Sequence, residues 1–291
     1  MNKKGLFSII LLVTIVFNLT GLKAQEVLEG VYVKQHVADR KPVPYQYLRE
    51  ADVMWSKTIW RVLELKEKMN FPLYYPEDPI GDRMSLISLL MWGIANQGLT
   101  AYSESPSDEF STVMTMKDIE DKFGAIDQTV LVEDVENPGT TIEKKIEGEI
   151  HYKEVKQLII KELWFFDKQR SVLEVRIIGL CPVRVYEKDN TSDPDAEGSE
   201  TMMKKKLFWV YFPEARKLLA NHEVFNPEND AERKSFDDIF FKRMFSSYIM
   251  QESNAYNNRA INEYTVGMET LLEAERIKES IFNYEQDLWE Y

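Results

Sequence analysis

The sequence has few of the residues on which metal and catalytic sites depend. Its 291 residues include one cysteine, Cys181, and three histidines, His36, His151 and His222. A single cysteine cannot form an internal disulfide, so the fold must hold without covalent cross-links. The histidines show none of the short spacings, such as H-E-x-x-H, that bring two ligands to one metal ion. We therefore predict no metal site and no bound cofactor.

Motifs for nucleophilic catalysis and phosphate binding are also missing. The 12 glycines are scattered, and neither a G-x-S-x-G elbow nor a glycine-rich phosphate loop occurs. Cys181 precedes a proline at the end of a predicted strand, where no helix N-terminus would lower its pKa. We expect a buried structural cysteine and no catalytic residue. One enzymatic alternative stays open: an extracytoplasmic hydrolase that uses two of the 49 acidic side chains, facing each other across a cleft.

Positive charge is scarce relative to negative charge. The chain has 36 Lys and Arg against 49 Asp and Glu, for a formal net charge of −13. Such a surface repels phosphate backbones, so nucleic-acid binding is not expected.

Long apolar runs are confined to the N-terminus. A basic start, "MNKK", precedes the apolar run "GLFSIILLVTIVF", which is too short to span a bilayer. This layout is typical of a secretory signal peptide, with cleavage expected after Ala24. We predict a signal peptide over 1–24, an extended arm over 25–47 and a single domain over 48–291. The mature chain is expected outside the cytoplasm, with no membrane span of its own.

The predicted arm contains "KPVPYQY", in which Pro42 and Pro44 forbid a helix. Its tyrosines Tyr32, Tyr45 and Tyr47 can cover the arm's own domain or reach a neighbour.

Helical patterns dominate the first part of the predicted domain. In "READVMWSKTIWRVLELKEKMN", the residues Trp55, Ile59 and Val62 fall on one helical face, which predicts a helix over 49–70. The stretch 82–98 predicts a second helix, with Asp82 as its N-cap and Gly98 beyond its end. A third, short helix is expected between a capping box of Thr115 with Asp118 and the closing Gly124.

A β region follows the polar stretch 125–150. Two runs, 155–167 and 171–187, are rich in Val, Ile, Leu and aromatic residues and flank a polar turn, which predicts a hairpin. The segment "KKKLFWVYFP" predicts a returning strand. Between them lies an acidic stretch, 188–200, which we expect to be a mobile loop.

The C-terminal third is again predicted to be helical. A capping box of Ser235 with Asp238 starts one helix. A last helix over about 265–289 has a heptad-like seam, formed by Thr270, Ala274, Ile277, Ile281, Tyr284 and Leu288. The predicted fold class is therefore α+β: an antiparallel sheet with a central aromatic hairpin, packed by N-terminal and C-terminal helices.

Aromatic residues are concentrated in the predicted β region, in "WFF" at 164–166 and "FWVYF" at 208–212. We expect these in adjacent strands, so that alternation places aromatic side chains on both faces of the sheet. Aromatic residues dominate both cores and interfaces, so a surface role stays open. The candidate interaction surface consists of Tyr32, Tyr45, Tyr47, Trp164, Phe166, Trp209 and Tyr211. An alternative use of such side chains is a periplasmic glycan- or peptide-binding module.

Three stretches resemble a known family. They are "PVPYQYLREADVMWSKTIWRVLELKEKMNFPLYYP", "RMSLISLLMWGI" and "WFFDKQRSVLEVRIIGLCPV". Together they are similar to the gliding motility protein N family, GldN or PorN, through most of the mature chain.

The resemblance implies a structural component of the type IX secretion and gliding motility machinery. Members of that family are periplasmic and associate with an outer-membrane lipoprotein, GldK (PorK), in large rings. The rings connect to the motor proteins GldL (PorL) and GldM (PorM). The family implies no catalytic residues, so no site is transferred from it.

Overall fold

The computed structural model describes residues 40–80, 83–104, 109–125, 128–133, 141–146, 148, 150–187, 202–229 and 231–288. These residues belong to one compact unit, Asp39–Tyr291. The predicted signal peptide, residue Tyr32 and the acidic stretch 188–200 lie outside them.

The centre of the described structure is an antiparallel sheet. The strands, in chain order, are β1 (Val53–Glu64), β2 (Ala101–Tyr102), β3 (Gln128–Glu133), β4 (Thr141–Ile146), β5 (Val155–Asp167), β6 (Val172–Glu187), β7 (Met202–Lys206), β8 (Trp209–Tyr211), β9 (Glu223–Val224), β10 (Lys234–Ser235) and β11 (Tyr248–Glu252). The main sheet has seven strands in the order β11-β1-β5-β6-β8-β2, and β7 also pairs with β6. Strands β3 and β4 form a separate two-stranded sheet, as do β9 and β10.

Six α-helices accompany the strands among the described residues. They are α1 (Phe71–Tyr74), α2 (Leu86–Asn96), α3 (Met116–Phe123), α4 (Phe212–Asn221), α5 (Phe236–Phe241) and α6 (Met268–Asp287). The predicted α+β class and antiparallel sheet are confirmed. None of these helices has the length and apolar content that a membrane crossing requires.

The predicted helix over 49–70 is wrong, because its centre is strand β1. Residues four apart share a face in a strand as well as in a helix, so the spacing of Trp55 and Ile59 fits both structures. Pairing with β5 extends from Val53 to Glu64. It buries Ile59 on one face and Trp60 on the other. The β-branched and aromatic residues of this segment suit a strand with two covered faces.

The predicted hairpin of β5 and β6 is confirmed, with Asp167 paired to Val172 across the turn. A bulge lies near Lys161, where the pairing register shifts. The expectation that the two aromatic groups lie in adjacent strands is wrong, because β6 separates β5 from β8. Two of those aromatic residues, Phe208 and Phe212, also lie outside the strands.

Local capping signals are largely confirmed. Thr115 and Ser235 each form a capping box with the Asp three residues later, and Gly124 ends α3 in the left-handed conformation. Helix α2 differs, since Ser85 is its N-cap and not the predicted Asp82. The long last helix exists, and its buried residues Ala274, Ile277 and Ile281 all belong to the predicted seam.

Different helices cover the two halves of one face of β1. Leu63 belongs to the largest core cluster, to which α2, α4 and α5 contribute. Ile59, on the same face, belongs to a second cluster with the buried residues of α6. On the opposite face, Trp60 and Val62 pack with a third cluster that includes Cys181. Side chains are therefore buried on both faces of the sheet, and α6 covers one end of β1 on the same face as the other helices.

Candidate interaction surfaces

The end of the predicted arm lies on its own domain. The ring of Tyr45 sits between two guanidinium groups, with its centroid 4.4 Å from Cζ of Arg216 and 5.2 Å from that of Arg176. The ring also contacts Phe241, at a centroid separation of 6.2 Å. Arg176 Nη2 donates a hydrogen bond of 2.7 Å to the carbonyl of Gln46. These contacts hold residues 45 and 46 against β6, α4 and α5.

An ion pair also holds the arm on the domain, and burial and nearby charges shift the pKa values of the groups involved. Burial raises the pKa of Tyr45, and the charges of Arg216 and Arg176 only partly offset it. Arg40 forms an ion pair of 2.9 Å with Asp238. Burial alone would raise the pKa of Asp238, but hydrogen bonds from Ser235 and the charge of Arg40 lower it. Asp238 is therefore ionised at neutral pH and available to hold the arm.

The arm is anchored through a buried ion pair. Arg216 Nε and Nη2 donate to the two carboxylate oxygens of Asp237 at 2.8 and 3.0 Å. Both side chains are buried. Because Arg216 also carries the ring of Tyr45, this pair connects α4, α5 and the arm.

The remaining predicted surface residues divide into exposed and buried ones. Tyr47 is 86% exposed, and Tyr211 is partly exposed beside Phe110. Phe166 and Trp209 are buried in the chain. Trp164 is partly buried and packs against the second core cluster, to which α6 contributes. In this structure the aromatic hairpin therefore contributes mainly to packing, and Tyr47 and Tyr211 are the exposed members of the predicted surface among the described residues.

A buried carboxylate lies beside Trp164. Glu162 has no exposed area, and its Oε2 accepts a hydrogen bond of 2.9 Å from Trp164 Nε1. Arg243 Nη1 lies 2.9 Å from the other oxygen, Oε1. A carboxylate held in this way joins β5 to the segment after α5.

The chemistry of Cys181 agrees with the structural role expected for it. The side chain is completely buried, and burial raises the pKa of its thiol to about 12. The thiol donates a weak hydrogen bond of 3.7 Å to the carbonyl of Pro182. At neutral pH it is therefore protonated, which is the unreactive form. No group of acidic, His and Cys side chains suited to a metal ion occurs in the described part of the chain.

Two apolar surfaces emerge that the sequence analysis did not identify. The first is the outer face of α6 and the residues before it, where Val266, Met268, Leu271, Leu272 and Phe282 are exposed. The second is a groove of about 680 Å³ near α1 and β9, which we call the Phe71 groove. Its apolar lining consists of Met69, Phe71, Val224, Phe225, Ile239 and Met244, together with two prolines.

A signal for the first surface was present in the sequence. The predicted seam of the last helix leaves out Leu271 and Leu272, which lie off the buried face. Two leucines outside the packed seam indicate a second apolar face. The Phe71 groove had no comparable signal, because its lining comes from four separate segments of the chain.

Comparison with known families supplies the identity. The family model described as "Gliding motility associated protein GldN" matches residues 48–290, which is most of the chain. A comparison with curated proteins found no match. Proteins of the GldN family are structural components of a secretion machinery, and the family is not known to contain enzymes. The chain belongs to the GldN family and is a component of the gliding motility and type IX secretion machinery.

Proposed function

We propose that this chain is a periplasmic structural ring subunit of the type IX secretion machinery, held at the outer membrane through a lipoprotein, GldK (PorK). The observation that carries the proposal is family membership over residues 48–290. In the same assembly, the ring connects to the motor proteins GldL (PorL) and GldM (PorM).

The exposed apolar side chains support an assembling protein. Met268 is 72% exposed and Leu272 is 64% exposed on α6, while Met69 is 62% exposed beside the Phe71 groove. Large apolar side chains that cluster on a surface mark contacts with other molecules. Two such surfaces on one chain are what a ring requires, because a closed ring is built from contacts between two different patches.

The Phe71 groove also favours a second candidate function, a periplasmic peptide-binding module. An apolar groove with a few polar groups at its rim is the usual form of a binding site. The two candidates differ in particle size. A ring subunit purifies with its lipoprotein as a very large particle, whereas a binding module purifies as a monomer or a small oligomer.

Affinity isolation tests the proposal. The full chain, tagged at its C-terminus, is isolated from membranes of cells that produce it, and the product is examined by electron microscopy. We expect ring-shaped particles that contain a lipoprotein. A monomer or small oligomer without a lipoprotein partner would contradict the proposed function.

The arm has a separate test. Deletion of residues 25–47 is expected to abolish ring assembly and leave a folded monomer. Tyr45→Ala is the sharper change, because it removes the ring held between Arg216 and Arg176 and keeps the chain length. Tyr47→Ala should leave the arm in place, since the side chain of Tyr47 is exposed, and it tests this predicted surface residue separately. Unchanged rings after the deletion would remove the arm from the assembly contacts.

A further inference from the structure

Helix α6 is apolar on two faces. Its inner face packs on β1 and β11 through Ala274, Ile277 and Ile281. Its outer face carries Met268, Leu271 and Leu272, all of them exposed. The spacing of i, i+3 and i+4 is the pattern with which a helix inserts anchoring side chains into a groove. The outer face therefore has the form of a docking element.

The outer face has an acidic continuation. Glu279 lies seven residues after Leu272, so both side chains are on the same side of the helix. Glu269 lies in the first turn, next to the apolar anchors. Two other glutamates of α6, Glu273 and Glu275, form ion pairs with Arg276 and Lys278. Within the described residues, Glu269 and Glu279 have no ion-pair partner.

The Phe71 groove has the complementary character. It is concave and mainly apolar, and two lysines, Lys68 and Lys234, line it together with one acidic residue, Glu228. Lys234 lies 3.5 Å from Glu232. Lys68 forms no ion pair with the residues that the structure describes. In a chain with a net charge of −13, the lining of this groove combines an apolar floor with one more lysine than acidic residues, and, within the described residues, Lys68 is the lysine that is not already in an ion pair.

A chain does not fill its own groove with its own α6. No residue of α6 lines the groove. The helix is held elsewhere, by Ile277 and Ile281 against Ile59 and by a ring stack of 4.9 Å between Tyr284 and Trp55. Filling the groove with α6 of the same chain would separate these contacts. A second copy can supply the helix without any such loss.

We propose that the outer face of α6 from one copy docks in the Phe71 groove of the next copy. The apolar anchors Met268, Leu271 and Leu272 enter the groove, and the acidic side chains of the helix face Lys68 at its edge. The contact joins two different patches, so each copy keeps one patch free for a further copy. The inference rests on the proposed ring function and names the surfaces through which that function is carried out.

Cysteine cross-linking tests the contact. The full chain is produced with Leu272→Cys and Met69→Cys together, and membranes are treated with a short bismaleimide cross-linker. Both positions are exposed, so the changes leave the core intact. Cys181 is completely buried, so the cross-linker is not expected to react with it. We expect a ladder of covalent multimers on a denaturing gel.

Matched variants test whether the ladder arises from the proposed contact. Val113→Cys is a matched control for Met69→Cys, because the native side chains are 64% and 62% exposed. Combining it with Leu272→Cys is expected to give no ladder. When Leu272→Cys and Met69→Cys are on separate co-produced chains, the products should stop at dimers. Adding Leu271→Glu to the double-cysteine chain should abolish the ladder, whereas Leu271→Met should keep it.

Several results would overturn the inference. A dimer as the only product of the double-cysteine chain would mean a closed two-fold contact. Dimers from Leu272→Cys alone, equal in amount to those from the pair, would mean that α6 meets α6. Rings without a ladder would show that the contact is wrong while the proposed function stands. The absence of both rings and ladder would overturn the proposed function and the inference together.

Discussion

The ion pair of Arg216 with Asp237 allows a quantitative test of how the arm and the helices are held. Two hydrogen bonds, of 2.8 and 3.0 Å, join the guanidinium to both carboxylate oxygens. The two side chains are 5% and 7% exposed. Replacement of Arg216 by Met keeps a long apolar side chain in place and leaves the carboxylate of Asp237 buried without its cation.

The expected loss follows from this burial. Removing one partner of a buried ion pair costs about 3–5 kcal/mol, because the other charge stays desolvated. Asp237 lies in the first turn of α5, where the helix dipole recovers about 0.3–1 kcal/mol. The cation–π contact of Arg216 with Tyr45 is also lost, which adds about 0.5–1 kcal/mol. We therefore expect Arg216→Met to lower the free energy of unfolding by about 3–5 kcal/mol.

Urea unfolding of purified mature protein, followed by tryptophan fluorescence, measures this loss as a shift of the midpoint at constant slope. Lys217→Met is the matched control, because its side chain is exposed on the same helix, and it should change stability by about 0.5 kcal/mol or less. The double variant Arg216→Met, Asp237→Leu should regain most of the loss, since neither charge remains. Equal stability of Arg216→Met and Lys217→Met would refute the reasoning.

Three further predictions concern single positions. Cys181→Ala should change how the free energy of unfolding depends on pH above 9. In the wild type, between pH 9 and about 12, the Cys181 thiol is ionised in the unfolded chain only. The wild type should therefore lose about 1.4 kcal/mol per pH unit relative to the variant as the pH rises, and parallel stability–pH curves would contradict this. Ser235→Ala removes a buried N-cap and should cost about 1–2 kcal/mol in urea unfolding, more than Thr115→Ala at its exposed cap; the reverse order would be inconsistent with the burial argument. Gly179→Ala places a Cβ 2.5 Å from the ring of Phe110 and should cost about 1–3 kcal/mol. The cost should shrink in a Phe110→Ala background, and full additivity of the two losses would show that this contact is not the cause.

The features that the sequence determined by itself are local ones. The capping boxes at Thr115 and Ser235 depend on residues three positions apart, so they form wherever those helices form. The hairpin of β5 and β6 follows from two apolar runs around a short polar turn. The buried state of Cys181 was also predictable, since an apolar strand segment surrounds it. The family resemblance, carried by three quoted stretches, was confirmed over residues 48–290.

Tertiary structure decided the features that depend on distant partners. Residues 53–64 form a strand because β5 and β11 supply hydrogen bonds on both sides, and the spacing of apolar residues could not distinguish this from a helix. The strand order that places β6 between the aromatic groups depends on pairing across the whole sheet. The exposed outer face of α6 and the Phe71 groove exist because other segments cover some apolar residues and leave these uncovered. Burial is a property of the assembled chain, so only the fold shows which apolar side chains remain available to a partner.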